Sequence, residues 1–425
     1  MRFCPFTKGR GGDRIQADSE MRDMDKTLRR INIQYAMVQG FYWIGYCGIF
    51  TYTAVYLQSR GYSNAQLGLV MASGCVMGFL LPQLLANWID RVEQITVFRC
   101  LWALLLAETG LVLTLRSLPG HSLTVSVLYS VLLGLEVTIN PMNTQMSTDL
   151  EHRFGRINYG MARGTGSVAF TPVTMMMGRL IEKHGTGLLP NVDLICIGIQ
   201  ALVLLSVCLS MRRAGPGENG TAVVRKKEGS TAIRFVQENR RFFVLMLGTM
   251  LLFFAHNLVN NYMINVVRHA GGDTSDMGLL SGFTAFMEMP MMFLYDWLTR
   301  RVRCSSTVRF ASVVFAIKAA AIALARSMTA LFAASVLQMF SFAMLTPAMV
   351  RYVNLYIPEK DSAKGQAISF GMVTLGNVFA SLLGGVLFDH FTVPQTMMTG
   401  AASALLGAVI CQIFTERGAP QVQNT

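Results

Sequence analysis

The chain has 425 residues, of which 52% are apolar and 14% charged, and only 12 are proline. That composition excludes an ordinary soluble multidomain enzyme. The formal net charge of +12 raises nucleic-acid binding, but the basic residues follow a membrane pattern rather than one basic face.

About 20 apolar residues, each rising ~1.5 Å, cross a hydrocarbon core roughly 30 Å thick. In chain order, a polar tail at residues 1–30 leads into spans predicted at 31–57, 65–88, 95–115, 122–147, 158–181 and 191–211. Residues 212–240, rich in Gly, Lys and Arg, are the one long polar interruption and predict a central loop. Further spans follow at 242–267, 276–298, 307–326, 329–353, 365–388 and 395–415, and a short tail closes the chain at 417–425. The predicted units are two six-helix bundles, 31–211 and 241–416. In lipid each backbone amide pairs inside its own segment, and these segments lack the alternation of a barrel, so the expected fold class is an all-α membrane protein of twelve transmembrane helices.

With the N-terminus inside, 28 of the 36 Lys and Arg residues fall in the two tails, the central loop and the other loops on that side. The positive-inside rule then places both termini and the central loop in the cytoplasm of a cell-membrane protein. The first thirty residues lack an apolar stretch and a small-residue cleavage site, so no signal peptide is expected. Six of the eight cysteines (Cys47, Cys75, Cys100, Cys196, Cys208, Cys411) fall in predicted helices, and no external pair is available for a disulfide.

The halves repeat weakly. Asp90 ends the second span as Asp296 ends the eighth, Pro141 answers Pro347, and Gly178-Arg179-Leu180-Ile181-Glu182 answers Gly385-Val386-Leu387-Phe388-Asp389. Two parallel halves related by an axis along the membrane normal put a binding site at their interface near mid-membrane.

An ionised side chain at the bilayer centre costs roughly 2.5–3.5 kcal/mol on insertion scales, so each one retained points to function. Glu108, Glu136, Arg163, Glu288 and Lys318 are such residues, and the seventh span adds His256, Asn257, Asn260 and Asn261. Counting from helix ends places Glu288, Lys318, Asn257 and Asn260 at one depth, where a carboxylate and an ammonium offset each other's desolvation. Protonating the glutamate, or occupying the site with solute, would release the lysine. Arg163 lies close enough to the cytoplasmic end of the fifth span either to snorkel or to face a cavity. Glu108 shows no obvious partner. Trp43 and Tyr46 lead a dense run of aromatics in the first span that serves equally for packing or for stacking on a solute. No metal-ligand spacing, phosphate loop or nucleophile motif is present, so neither a cofactor nor an enzyme is expected.

These residues resemble the major facilitator superfamily, and within it the oligosaccharide and nucleoside proton symporters typified by lactose permease. The loop motif between the second and third spans appears as Ala86-Asn87-Trp88-Ile89-Asp90-Arg91-Val92-Glu93-Gln94, keeping Asp90 and Arg91 of the pattern. Gly160-Met161-Ala162-Arg163-Gly164-Thr165-Gly166-Ser167-Val168-Ala169-Phe170 resembles the fifth-span segment that holds the permease's sugar-binding arginine and stacking tryptophan, with Arg163 and Phe170 in their places. Glu288 matches the family's eighth-span glutamate, Asn257 and Asn260 fall on two seventh-span aspartates, and Lys318 takes the place of a ninth-span arginine. Leu337-Gln338-Met339-Phe340-Ser341 resembles the tenth-span segment of the proton-carrying glutamate, with Gln338 and Ser341 in place of the permease's histidine and glutamate.

The resemblance implies a monomeric secondary transporter in which Arg163, Phe170, Asn257, Asn260, Glu288 and Gln338 bind a small polar solute. It implies that Glu288 and Lys318 couple the solute to protons, and that Asp90, Arg91 and Asp296 close a cytoplasmic gate. An efflux antiporter and a non-transporting membrane sensor stay open as alternatives. No nucleic-acid partner is expected.

Overall fold

The computed structural model describes residues 10–92, 94–118, 120–155, 157–213 and 232–416. Most of the predicted central loop and the tail at 417–425 lie outside these residues. Those described are helical, with no strand among them. Ten helices are long and apolar enough to cross a membrane: Asn64–Ile89, Val97–Ser117, Leu123–Phe154, Thr186–Arg212, Arg240–Asn261, Thr274–Tyr295, Cys304–Leu324, Met328–Tyr356, Ser362–His390 and Val393–Phe414. The remaining two of the twelve predicted spans are the first and fifth, and each is too polar for that measure. The first carries Gln34, Gln39 and eight aromatics, while the fifth, Tyr159–His184, carries Arg163, Arg179 and Glu182. Both pack into the bundle, the fifth against the first and the eighth, which buries Gln34 and Gln39 and half-buries Arg163, while Arg179 and Glu182 are exposed near the end of the fifth span.

Three spans are broken. The first runs from Arg10–Tyr46 through a π-helical turn at Cys47–Thr51 into Thr53–Ser59. The seventh divides at Tyr262 into Arg240–Asn261 and Met263–His269. The tenth runs as Met328–Ser335, a 3₁₀ turn at Val336–Gln338, and Phe342–Tyr356. Each break releases backbone groups and turns side chains out of the regular helical register. The second and eighth spans each start with a capping box, Ser63 with Gln66 and Asp273 with Asp276, which fixes both helices at the same face of the molecule.

The halves meet along two antiparallel seams. In the seam of the fifth and eighth spans, a Cβ on Gly178 would lie 2.6 Å from Thr274 O, and one on Gly282 would lie 2.8 Å from Thr171 O, so only glycine permits this approach. In the seam of the second and eleventh spans, Gly68 sits against the Ser381 carbonyl and Gly385 against Asn64. Hydrogen bonds between the halves cluster at the face carrying loops 60–63 and 270–273. There the Asp389 carboxylate accepts from the backbone N–H of Asn64 at 3.0 Å, that of Ala65 at 2.9 Å, and Asn64 Nδ2 at 3.0 Å. Gln58 Nε2 donates to Asn265 Oδ1 at 2.8 Å, and Arg268 Nη1 donates to Gln58 Oε1 at 3.0 Å. The two halves are therefore shut against each other at this face.

Candidate functional site

Lys318, on the ninth span, is 6% exposed, and Gln338, in the 3₁₀ turn of the tenth, is 2% exposed. Lys318 Nζ donates to Gln338 Oε1. Gln338 Nε2 in turn donates to Glu288 Oε1 of the eighth span at 2.7 Å. The equal depth expected of Glu288 and Lys318 thus becomes a real neighbourhood, but the pair is joined through an amide. Gln338 uses its acceptor on the cation and its donor on the anion, so three buried or half-buried polar groups satisfy one another. The break in the tenth span aims Gln338 into this position.

Arg163 approaches the same carboxylate from the other half. Continuing the register of the fifth and eighth spans past Thr171 and Gly282 by about two turns brings Arg163 level with Glu288. The carboxylate of Glu288 feels the charges of both Lys318 and Arg163. The guanidinium lies 4.0 Å from the centre of the Trp43 ring, a cation–π contact, and Nη1 donates to Ser167 Oγ at 3.2 Å. Gly166 leaves the space that the Trp43 ring occupies. Trp43 is therefore the aromatic partner of Arg163, while Phe170 is half-buried against the N-terminal core.

On the seventh span, Asn257 is half-buried and Asn260 exposed. Asn260 Nδ2 donates to His256 Nε2 at 3.0 Å, and the imidazole stacks on Phe342 with ring centres 4.7 Å apart. His256, 7% exposed, is close enough to Lys318 to feel its charge. Asn261 turns away, donating to Asn377 and Ser381 of the eleventh span at 2.8 and 2.9 Å. Arg91 is exposed at the end of the second span. The side chains of its expected gate partners, Asp90 and Asp296, lie outside the described residues.

A second group of acids stands apart inside the N-terminal half. Glu108, Glu136 and Asp193 are 1%, 3% and 2% exposed. Asp193 had no place among the expected functional residues, because a count from the nearby helix end puts it close to water. Its neighbours on the first, third and fourth spans enclose it nonetheless.

The MFS_1 like family matches residues 33–398. No curated protein matches the chain in sequence. Among solved structures, a variant of the nucleoside transporter NupG superposes with a TM-score of 0.72 at 12% identity, covering 91% of this chain and 100% of that one. The POT family transporter PepTSo superposes at 0.70 and 11% identity, covering 92% and 97%. A bacterial homologue of the iron transporter ferroportin superposes at 0.63 and 16% identity, covering 91% and 99%. At these identities the likeness is one of fold. With the family match spanning most of the chain, the protein belongs to the MFS_1 like family: it is a multi-pass membrane transporter of the major facilitator type and not an enzyme.

Proposed function

We propose that the protein is a proton-coupled symporter of a small polar organic solute, oligosaccharide-like or nucleoside-like, working by alternating access. The observation that carries this reading is the chain Lys318–Gln338–Glu288 with Arg163 level with its acidic end. Arg163, Asn257, Asn260 and Gln338 offer amides and one cation to a solute rich in hydroxyl or carbonyl groups, and Phe170 adds an apolar flank. Glu288 and Lys318 couple the solute to protons. Protonating Glu288 removes the anion that Gln338 and Arg163 face, which frees those donors for the solute. Asp90, Arg91 and Asp296 close the opposite, cytoplasmic face. The protein acts as a monomer in the cell membrane with both termini inside.

Replacing Glu288 by Gln keeps the shape and removes the titratable group. Uphill accumulation into proteoliposomes under a proton gradient is expected to vanish in E288Q while solute exchange persists; unimpaired accumulation refutes the coupling role. A thermal-shift screen of purified protein against oligosaccharides, nucleosides and aromatic acids identifies the class, since a ligand that binds the folded state raises its melting temperature.

A further inference from the structure

The acids of the N-terminal half form a site of their own. The side chains of Glu108 and Glu136 lie within hydrogen-bonding reach of each other. Two carboxylates repel, so such a contact requires a proton between them. Asp193 joins them around Gly45: a Cβ on that residue would lie 3.6 Å from Asp193 Oδ1 and 4.0 Å from Glu136 Oε1. Glu108 Oε1, Glu136 Oε1 and Asp193 Oδ2 have no hydrogen-bond partner. The titratable groups beside the trio are Tyr42 and Tyr46 of the first span, Tyr129 of the fourth and Cys196 of the sixth; beyond these stand Cys47, Tyr56 and Arg60 of the first span and its following loop, Cys75 of the second and Arg163 of the fifth. Arg163 is engaged with Trp43 and Ser167. Three anions cannot share so buried a space without a compensating cation. A proton is the smallest such cation and needs no ligand shell.

An independent feature lies beside Asp193. A cavity of about 20 Å³, room for roughly one water, sits between the first, third, fourth and sixth spans, lined by Gly48, Tyr56, Val112, Leu115, Tyr129 and Asp193. A Cβ on Gly48 would meet open space. The Tyr56 hydroxyl, on a side chain 2% exposed, lines this cavity and has no partner. Leu115 and Leu189, which line the cavity, lie near the helix ends on the face where the two halves are shut.

We infer that Asp193, Glu136 and Glu108 are a second proton-binding site, filled through this cavity from the shut face and separate from the Glu288 chain. A hydronium in the cavity gives its proton to the Asp193 carboxylate, leaving water and a neutral carboxyl. The proton then passes to Glu136 and Glu108, whose mutual contact holds it. Tyr42 donates to the Glu136 carbonyl at 3.2 Å and lies edge-on to Trp43, so the site touches the aromatic layer on which Arg163 rests.

The test is infrared spectroscopy of the full-length protein in lipid nanodiscs, without solute, following the C=O stretch of protonated carboxyls in H2O and D2O. An E288Q background removes the other coupling carboxyl, so the result is independent of the proposed symport. The band is expected at neutral pH, and it is expected to be lost in E108Q/E136Q/D193N. G48L leaves all three acids in place and fills the cavity, so it is expected to keep the band and slow its deuterium shift. D193N alone, the mildest change, is expected to reduce the band, which keeps the test decisive if the triple variant does not fold. A band unchanged in D193N and the triple variant, or one abolished by sodium at constant pH, overturns the proton site. A deuterium shift equally fast in G48L overturns the route.

Discussion

At the scale of single residues, Gln338 matters more than its neutral amide suggested. With 2% exposure it gives Lys318 an acceptor and Glu288 a donor. Replacing it by Leu leaves a buried ammonium without that acceptor, and an unsatisfied buried polar group costs about 1–3 kcal/mol, more when charged. Thermal unfolding of Q338L is expected to show that loss, and K318M/Q338L is expected to recover most of it; additive losses in the double variant would mean the two side chains do not act on each other. Much of this site was legible in the chain, because depth is a one-dimensional quantity. Counting residues from helix ends placed Glu288 and Lys318 at one level. Azimuth is not legible in the same way. The count could not show that Trp43 rather than Phe170 covers Arg163, since that depends on the rotation of two helices and on the space left at Gly166. Asp193 escaped for the converse reason: it is near a helix end and yet fully enclosed by its neighbours.

At the scale of elements, the N-terminus of the second span is an anion site satisfied by the other half. Backbone N–H groups of Asn64 and Ala65 point at Asp389, where the helix dipole adds about 1 kcal/mol to the hydrogen bonds themselves. Asp389→Asn removes the charge and leaves the shape, so the closed arrangement of this face loses population. Spin labels at Gly187 and Phe391, both exposed residues in different halves, are expected to show a larger long-distance fraction in D389N; an unaltered distance distribution would leave Asp389 without a role in closure. Ten of the twelve spans are readable from hydropathy alone, the polar first and fifth being legible only as weaker apolar stretches, and the repeat pointed to the correspondence of the halves. The helix breaks were not. Val336–Gln338 contains neither Gly nor Pro, so its 3₁₀ turn is imposed by packing around Gln338 rather than by local propensity.

At the scale of the whole molecule, the proposed orientation, with both termini inside, puts the shut face on the outside. Gly187 lies on that face and Lys360 on the other, and the cysteines of the described residues are buried or half-buried. A membrane-impermeant maleimide is therefore expected to label G187C on intact cells and K360C only after permeabilisation; the reverse pattern would invert the protein in the membrane. The two seams that shut this face share one device and differ in another. Both press glycine against backbone carbonyls, a fit that tolerates no sliding. The seam of the second and eleventh spans adds a carboxylate on backbone amides, bonds that water can replace one at a time. The molecule thus resembles a door fitted tightly along two edges with a latch on one of them: water can lift the latch, but the fitted edges must part as units.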